Sequence, residues 1–199
     1  MADLVTPVAG VELILGGQKS GKSRRAELLA RAWLAGEAAA VPRQATLIAT
    51  AQPWDGEMRQ RIARHQADRA ERVPGMRTVE EPIALAEAIR QHSSARTLVV
   101  VDCLTLWLTN RLMPAENESN LSLEPMDTAR TASLLIAIQE AAGPVVLVGN
   151  EIGLGVIPMG REVRAFVDAL GRLNQDVAAV CERVTLMAAG LPLTLKGAA

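Results

Sequence analysis

The run VELIL (11–15) followed by GGQKSGKS (16–23) constrains this chain more than any other stretch of it. A short apolar strand, a loop fitting GxxxxGK[ST] and helix-forming residues stand in the order a phosphate cradle requires. Glycines let such a loop curl so that successive N–H groups point inward, and the following helix presents its positive end to the same place. Lys22 would reach the β- and γ-phosphates of a bound nucleotide, and the Ser23 hydroxyl would take one Mg²⁺ position. The bland alternative is a glycine-rich strand-to-helix turn with an incidental lysine. Lys19 and the pair Arg24-Arg25 read as solvated charges.

Short β-branched and aliphatic runs recur along the chain with helical stretches between them, the rhythm of a parallel sheet covered on both faces. The core strands are expected at 11–15, 45–50, 97–102, 145–149 and 184–188, with 76–80 and 192–196 as further or edge strands. Helices are expected at about 22–35, 55–70, 82–92, 127–142 and 160–182. Pro82 suits a first helical turn, and Gly143-Pro144 a stop. The segment 114–125, rich in Asn, Ser, Glu and Pro, has neither helical nor strand period and reads as an exposed excursion. The expected fold is therefore α/β, P-loop NTPase-like (RecA-like), with a mostly parallel sheet and helices on both faces. A length of 199 residues with 49% hydrophobic content suits one domain, a single nucleotide-binding catalytic unit over 1–199.

With 21 basic against 22 acidic residues, the formal net charge of -1 offers no long-range field for nucleic acid or an anionic membrane. Any anion must be held by local geometry. Cys103 and Cys181 form no CxxC pair, which suggests neither a zinc site nor a disulfide framework, and a cytoplasmic setting fits best. The opening MADLVTPVAG has no signal-peptide pattern, and no segment offers about 18 uninterrupted apolar residues, so no membrane span is expected.

Asp102 ends the strand TLVVVD at the carboxyl edge of the sheet, where ligands of open α/β sheets collect. It is either a Mg²⁺ ligand, directly or through water, or a plain helix cap. In DGEMRQRIARHQADR (55–69), Arg61, His65 and Arg69 fall four residues apart on one helical stripe. That stripe is either a wet face with a Glu57–Arg61 ion pair or a functional row opening at the same sheet edge as the cradle. A neutral imidazole is a competent nucleophile toward phosphorus, and flanking guanidiniums would stabilise the transition-state charge. The other histidine, His92, lies in a polar helix end and is expected to face solvent.

GGQKSGKS, RIARHQADR with TVEEP after it, VDCLTLWLTN, and the region from GNEIGLGVIPMGREV through GRLNQ to LPLTLK together resemble the bifunctional adenosylcobinamide kinase/adenosylcobinamide-phosphate guanylyltransferase family of cobalamin biosynthesis. The resemblance spans about 11–196. It implies phosphorylation of adenosylcobinamide with ATP or GTP, then transfer of GMP from GTP to the resulting phosphate through a phosphoramidate on histidine. His65 holds the matching position. The same resemblance implies nucleotide contacts at Gly16, Gly17, Gln18, Lys19, Ser20, Gly21, Lys22 and Ser23 in the cradle, and at Ala49, Thr50 and Ala51. Further contacts are implied at Gln66, Ala67, Asp68 and Arg69, and at Glu80 and Asp102. A homotrimer is implied as well.

Glu80 would accept from guanine N–H groups or ribose hydroxyls, or is simply an exposed glutamate before the next helix. Asn150, Glu151, Gly153, Gly155 and Arg161 shape either a corrinoid or phosphate site or a structural turn. Asn174-Gln175 are expected to serve packing or subunit contacts. Three departures from the family pattern bear on nucleotide preference and loop shape: Gln66 replaces a basic residue after the histidine, Ala70 a proline after Arg69, and Met76 a tryptophan. The rival readings are a P-loop small-molecule kinase without transferase activity, and a nucleotide-dependent switch.

Overall fold

The computed structural model describes residues 8, 10–36, 42–113 and 123–197. Seven strands form one sheet: β1 (Val11–Gly16), β2 (Gln44–Ala49), β3 (Arg77–Glu80), β4 (Thr97–Asp102), β5 (Val145–Val148), β6 (Arg183–Ala188) and β7 (Leu191–Lys196). Their order is β3-β2-β4-β5-β1-β6-β7, parallel throughout except for the antiparallel pairing of β6 with β7. The helices are α1 (Lys22–Ala35), α2 (Gly56–Arg72), α3 (Leu85–His92), α4 (Leu104–Leu112), α5 (Leu123–Gln139) and α6 (Arg161–Val180).

The central strands read as unbroken apolar runs because both of their faces are buried. Leu13, Val99, Val101, Val145 and Leu147 point to the layer formed by α3, α4, α5 and α6, together with Ile48. Ile14, Leu47, Leu98, Val100, Val146 and Val148 point the other way, onto Ala26, Leu29 and Trp33 of α1 and Val73 after α2. Alternate residues of one strand thus feed two cores, the period of two that a pleated strand dictates. This is the mostly parallel sheet, with helices on both faces, expected of a P-loop NTPase-like chain.

Several local expectations need correction. α3 begins at Leu85, so Pro82 is not in its first turn; the Glu81 carboxylate accepts from the N–H groups of Ile83 and Ala84 at 2.9 and 2.7 Å and makes a separate turn there. α4 was not expected, because its apolar residues continue the run of β4 and hide the change of period. Of the excursion at 114–125, residues 114–122 lie outside the described ones, and the remainder belongs to α5. His92 is half-buried rather than solvent-facing, since α3 packs against α5. Among the described residues no helix is long and apolar enough to cross a membrane.

Candidate active site

Strand register brings the site together. Glu80 pairs with Ala49, Ala49 with Asp102, Asp102 with Val148, and Val148 with Ile14. Parallel strands lie about 4.8 Å apart. One row at the carboxyl edge therefore runs from Glu80 through Asp102 to the strand that feeds the glycine loop.

The loop is shaped by its own backbone and braced from both sides. Gly21 has φ +101° and Lys19 φ +56°, the alternation that turns successive N–H groups toward one centre. A Cβ on Gly16 would meet the Met187 carbonyl oxygen at 2.5 Å, and one on Gly21 the Gly190 Cα at 3.2 Å. On one flank Glu151 N–H donates to Gly16 C=O at 3.1 Å; on the other, Gly190 N–H at the β6–β7 turn donates to Ser20 C=O at 3.0 Å. No side chain caps α1, and its first turn carries no acidic residue, so its N-terminal N–H groups remain free for an anion. Gly17, Gln18 and Lys19 are exposed, and the buried Ser20 hydroxyl has no hydrogen-bond partner among the described residues.

Lys22 is buried at the start of α1, and its ammonium donates to Gly17 C=O across the loop at 2.6 Å. Burial pulls its pKa below the ordinary lysine range; Cys103 and Asp102 oppose that shift, and the Arg61 guanidinium adds to it. Ser23 and Asp102, both half-buried, offer one hydroxyl and one carboxylate. Cys103, next to Asp102, is buried, and desolvation first, with the Asp102 charge second, pushes its thiol up to about 12. A thiol so raised stays protonated and is no nucleophile.

α2 starts on an Asp55 cap, whose carboxylate accepts from Met58 N–H at 2.7 Å. Along its stripe Arg61 is exposed, His65 half-buried and Arg69 buried, so the row passes from water into the protein. Among the described residues the ion pairs of α2 are those of Arg72 with Asp68 at 3.3 Å and with Glu27 of α1 at 3.0 Å, not Glu57 with Arg61. Gln66 donates to the Glu80 carboxylate at 3.2 Å, joining α2 to the end of β3. Ala67 is exposed and Asp68 half-buried.

Ala49 and Ala51 are half-buried at the turn after β2, whereas Thr50 between them is fully buried. The Thr50 hydroxyl donates to Cys103 C=O at 2.7 Å and accepts from Cys103 N–H at 2.8 Å, locking the β2 and β4 ends together. Its side chain faces protein, and Ala49 and Ala51 are the more open neighbours. Sequence reasoning missed the residue beneath this turn. Asn110 of α4 donates to Thr50 C=O at 2.8 Å and to Pro82 C=O at 3.2 Å. A polar amide three residues after Trp107, in a helix that also carries Leu104, Leu106, Leu108 and Leu112, is the signal that would have found it, once α4 itself is recognised. Asn174, expected in a packing role, is buried and donates to Asn150 C=O at 3.1 Å, tying α6 to the loop after β5, while Gln175 is exposed.

A parallel sheet whose carboxyl edge carries a braced glycine cradle, a buried lysine, and a serine and aspartate beside it defines a P-loop nucleotide-binding domain. A family model described as cobinamide kinase / cobinamide phosphate guanyltransferase matches residues 12–195, and the chain belongs to that family. It is 48% identical over 186 residues to the bifunctional adenosylcobalamin biosynthesis protein CobP of Pseudomonas aeruginosa, covering 94% of this chain and 97% of that one. To CobU of Escherichia coli, of the same description, it is 35% identical over 190 residues, covering 92% and 98%. Among solved structures, the flagellar accessory protein FlaH from Methanocaldococcus jannaschii superposes with a TM-score of 0.51 at 11% identity, covering 96% of this chain and 80% of that one. That likeness is one of fold alone.

Proposed function

We propose that this chain phosphorylates adenosylcobinamide with ATP or GTP and then transfers GMP from GTP to the phosphate it has made, passing GMP through His65. In the first step the acceptor hydroxyl attacks the γ-phosphorus, loses its proton, and displaces the nucleoside diphosphate. Next, an imidazole nitrogen of His65 attacks the α-phosphorus of GTP, and pyrophosphate leaves. The acceptor phosphate then attacks that phosphorus, the P–N bond breaks, and adenosylcobinamide-GDP is released with His65 restored. Splitting guanylyl transfer into two displacements lets one phosphate-binding edge serve both halves.

The observation that carries this reading is the join of α2 to the carboxyl edge of the sheet: Gln66, next to His65 in the chain, donates to the Glu80 carboxylate at 3.2 Å, at the end of the row that contains Asp102. Lys22 neutralises triphosphate charge, the N–H groups of 16–23 position it, and Glu80 accepts from the base or ribose. Ala49, Ala51 and Gln66 to Arg69 form the wall on the α2 side. Ser23 and Asp102 are the residues that would hold Mg²⁺. A hydroxyl with a carboxylate is a hard-oxygen set of the kind that leaves most positions to water and phosphate, and no cluster of three acidic, His or Cys side chains competes among the described residues. When bound, Mg²⁺ offsets phosphate charge.

The division of labour is open to direct assay. Lys22→Ala lowers both phosphorylation and guanylylation by about 100-fold or more, whereas His65→Ala removes guanylylation and leaves phosphorylation within a few-fold. Equal losses in both assays for His65→Ala contradict the scheme. We further propose a homotrimer working in the cytoplasm; β7 supports it by leaving Leu191, Leu193 and Leu195 exposed along the sheet margin, and both cysteines are buried and free. Light scattering at one chain mass rather than three contradicts the trimer, and fractionation with an exported or membrane pool contradicts the location.

A further inference from the structure

The loop between β5 and α6 presents four large apolar side chains to solvent: Leu154 is 80% exposed, Val156 96%, Ile157 79% and Met159 96%. A concentration of this kind on one loop marks a binding surface. Both of its ends are held. Asn150 N–H donates to the Thr105 hydroxyl at 2.8 Å, Glu151 N–H to Gly16 C=O at 3.1 Å, and Gly153 N–H to the Glu151 carboxylate at 2.9 Å. At the far end the Arg164 guanidinium donates to Pro158 C=O at 3.0 Å and to Met159 C=O. The loop that carries the apolar segment is thus moored, through Glu151, to the first glycine of the phosphate cradle.

We propose that residues 154–159 are the apolar platform on which the corrin macrocycle of the acceptor rests; this rests on the function proposed above and names the acceptor side of that site. The layout favours the acceptor over other occupants. α1 and the end of α2 pack on one face of the sheet, α6 on the other, and the cradle lies at the edge between them. A nucleotide held by Glu80, Gln66 and His65 approaches from the α2 side, so the group that receives its phosphorus enters opposite, where this loop stands. A macrocycle carrying a hydroxyl arm matches that demand, with a broad apolar surface for the loop and a short polar reach to the phosphate beside Lys22. A second copy has its own apolar face to meet, along β7.

The test is a triple variant, Val156→Ser, Ile157→Ser and Met159→Ser, with Val156→Ile, Ile157→Val and Met159→Leu as the apolar control. These side chains are nearly free of the core, so both variants keep the wild-type melting temperature. We expect the KM for adenosylcobinamide in the phosphorylation assay to rise roughly tenfold or more in the serine variant and to stay within twofold in the control. The KM for GTP and the labelling of His65 by GTP alone, which involve no corrinoid, stay within twofold in both. An unchanged corrinoid KM in a serine variant that binds GTP normally overturns the proposal and leaves the function intact. A serine variant whose assembly mass by light scattering falls below that of the wild type assigns the loop to a copy of this chain instead. Wild-type protein that sediments with phosphatidylglycerol vesicles, when the serine variant does not, assigns it to a lipid surface. Wild-type protein with no turnover of adenosylcobinamide at all overturns the function, and the platform with it.

Discussion

Asn110 joins the two turns that follow β2 and β3 at the carboxyl edge of the sheet, taking the carbonyls of Thr50 and Pro82 with one buried amide. Removing a buried donor costs about 1 to 3 kcal/mol where it leaves an acceptor unsatisfied. Asn110→Ala is therefore expected to lower stability by about that amount and to slow labelling of His65 by GTP more than it weakens triphosphate binding, because the cradle hydrogen bonds do not pass through it. Denaturant unfolding and single-turnover labelling check the two halves; a labelling rate equal to wild type contradicts a positioning role. The cradle residues were legible in the sequence because the motif's chemistry is local: each glycine and Lys22 has its place within eight positions. Asn110 was not legible, since what it holds lies 60 and 28 residues away. Thr50 shows the same limit in reverse: its position at the edge was foreseeable, but the occupation of its hydroxyl by Cys103 was not.

At the scale of elements, α2 is fastened chiefly at its carboxyl end. Arg69 and Val73 are buried there, and Arg72 spans to Glu27 of α1, while most of the first three turns face water. Arg72→Ala leaves the buried Glu27 carboxylate without its partner, which should cost about 1 to 3 kcal/mol and loosen the fastening. The expected signature is a lower melting temperature together with a guanylylation rate that falls several-fold more than the phosphorylation rate. Equal effects on the two rates would mean that the position of α2 does not matter to the transfer. Helix and strand limits followed local signals well where caps are explicit, as at Asp55 and at the glycine loop. They failed where a side chain made an unannounced turn, as Glu81 does before α3, and where a helix of apolar residues directly follows an apolar strand, as α4 follows β4.

For the whole molecule, parallel strands with helices between them were readable from period alone, but the order β3-β2-β4-β5-β1-β6-β7 was not, because it depends on pairings between distant segments. That order sets Asp102 two strands from the cradle and Glu80 two further, which makes the site a property of the sheet rather than of any segment. Ligand binding to such a site stabilises the whole fold. At GTP and Mg²⁺ concentrations 100 times the dissociation constant the gain is about 2.7 kcal/mol, or roughly 5 to 10 °C in melting temperature for a chain of this size. Calorimetry should show that shift in the wild type and lose most of it in Lys22→Ala; an undiminished shift in the variant would place the nucleotide elsewhere. Guanylyl transfer through His65 requires an imidazole of α2 to reach the α-phosphorus of a nucleotide held by the loop after β1. Mass spectrometry of peptides from protein exposed to GTP and Mg²⁺, without corrinoid, tests this directly. One added GMP on His65, discharged when adenosylcobinamide phosphate is supplied, is the expected result; protein active in transfer that carries no GMP, or carries it on another residue, contradicts the role of His65.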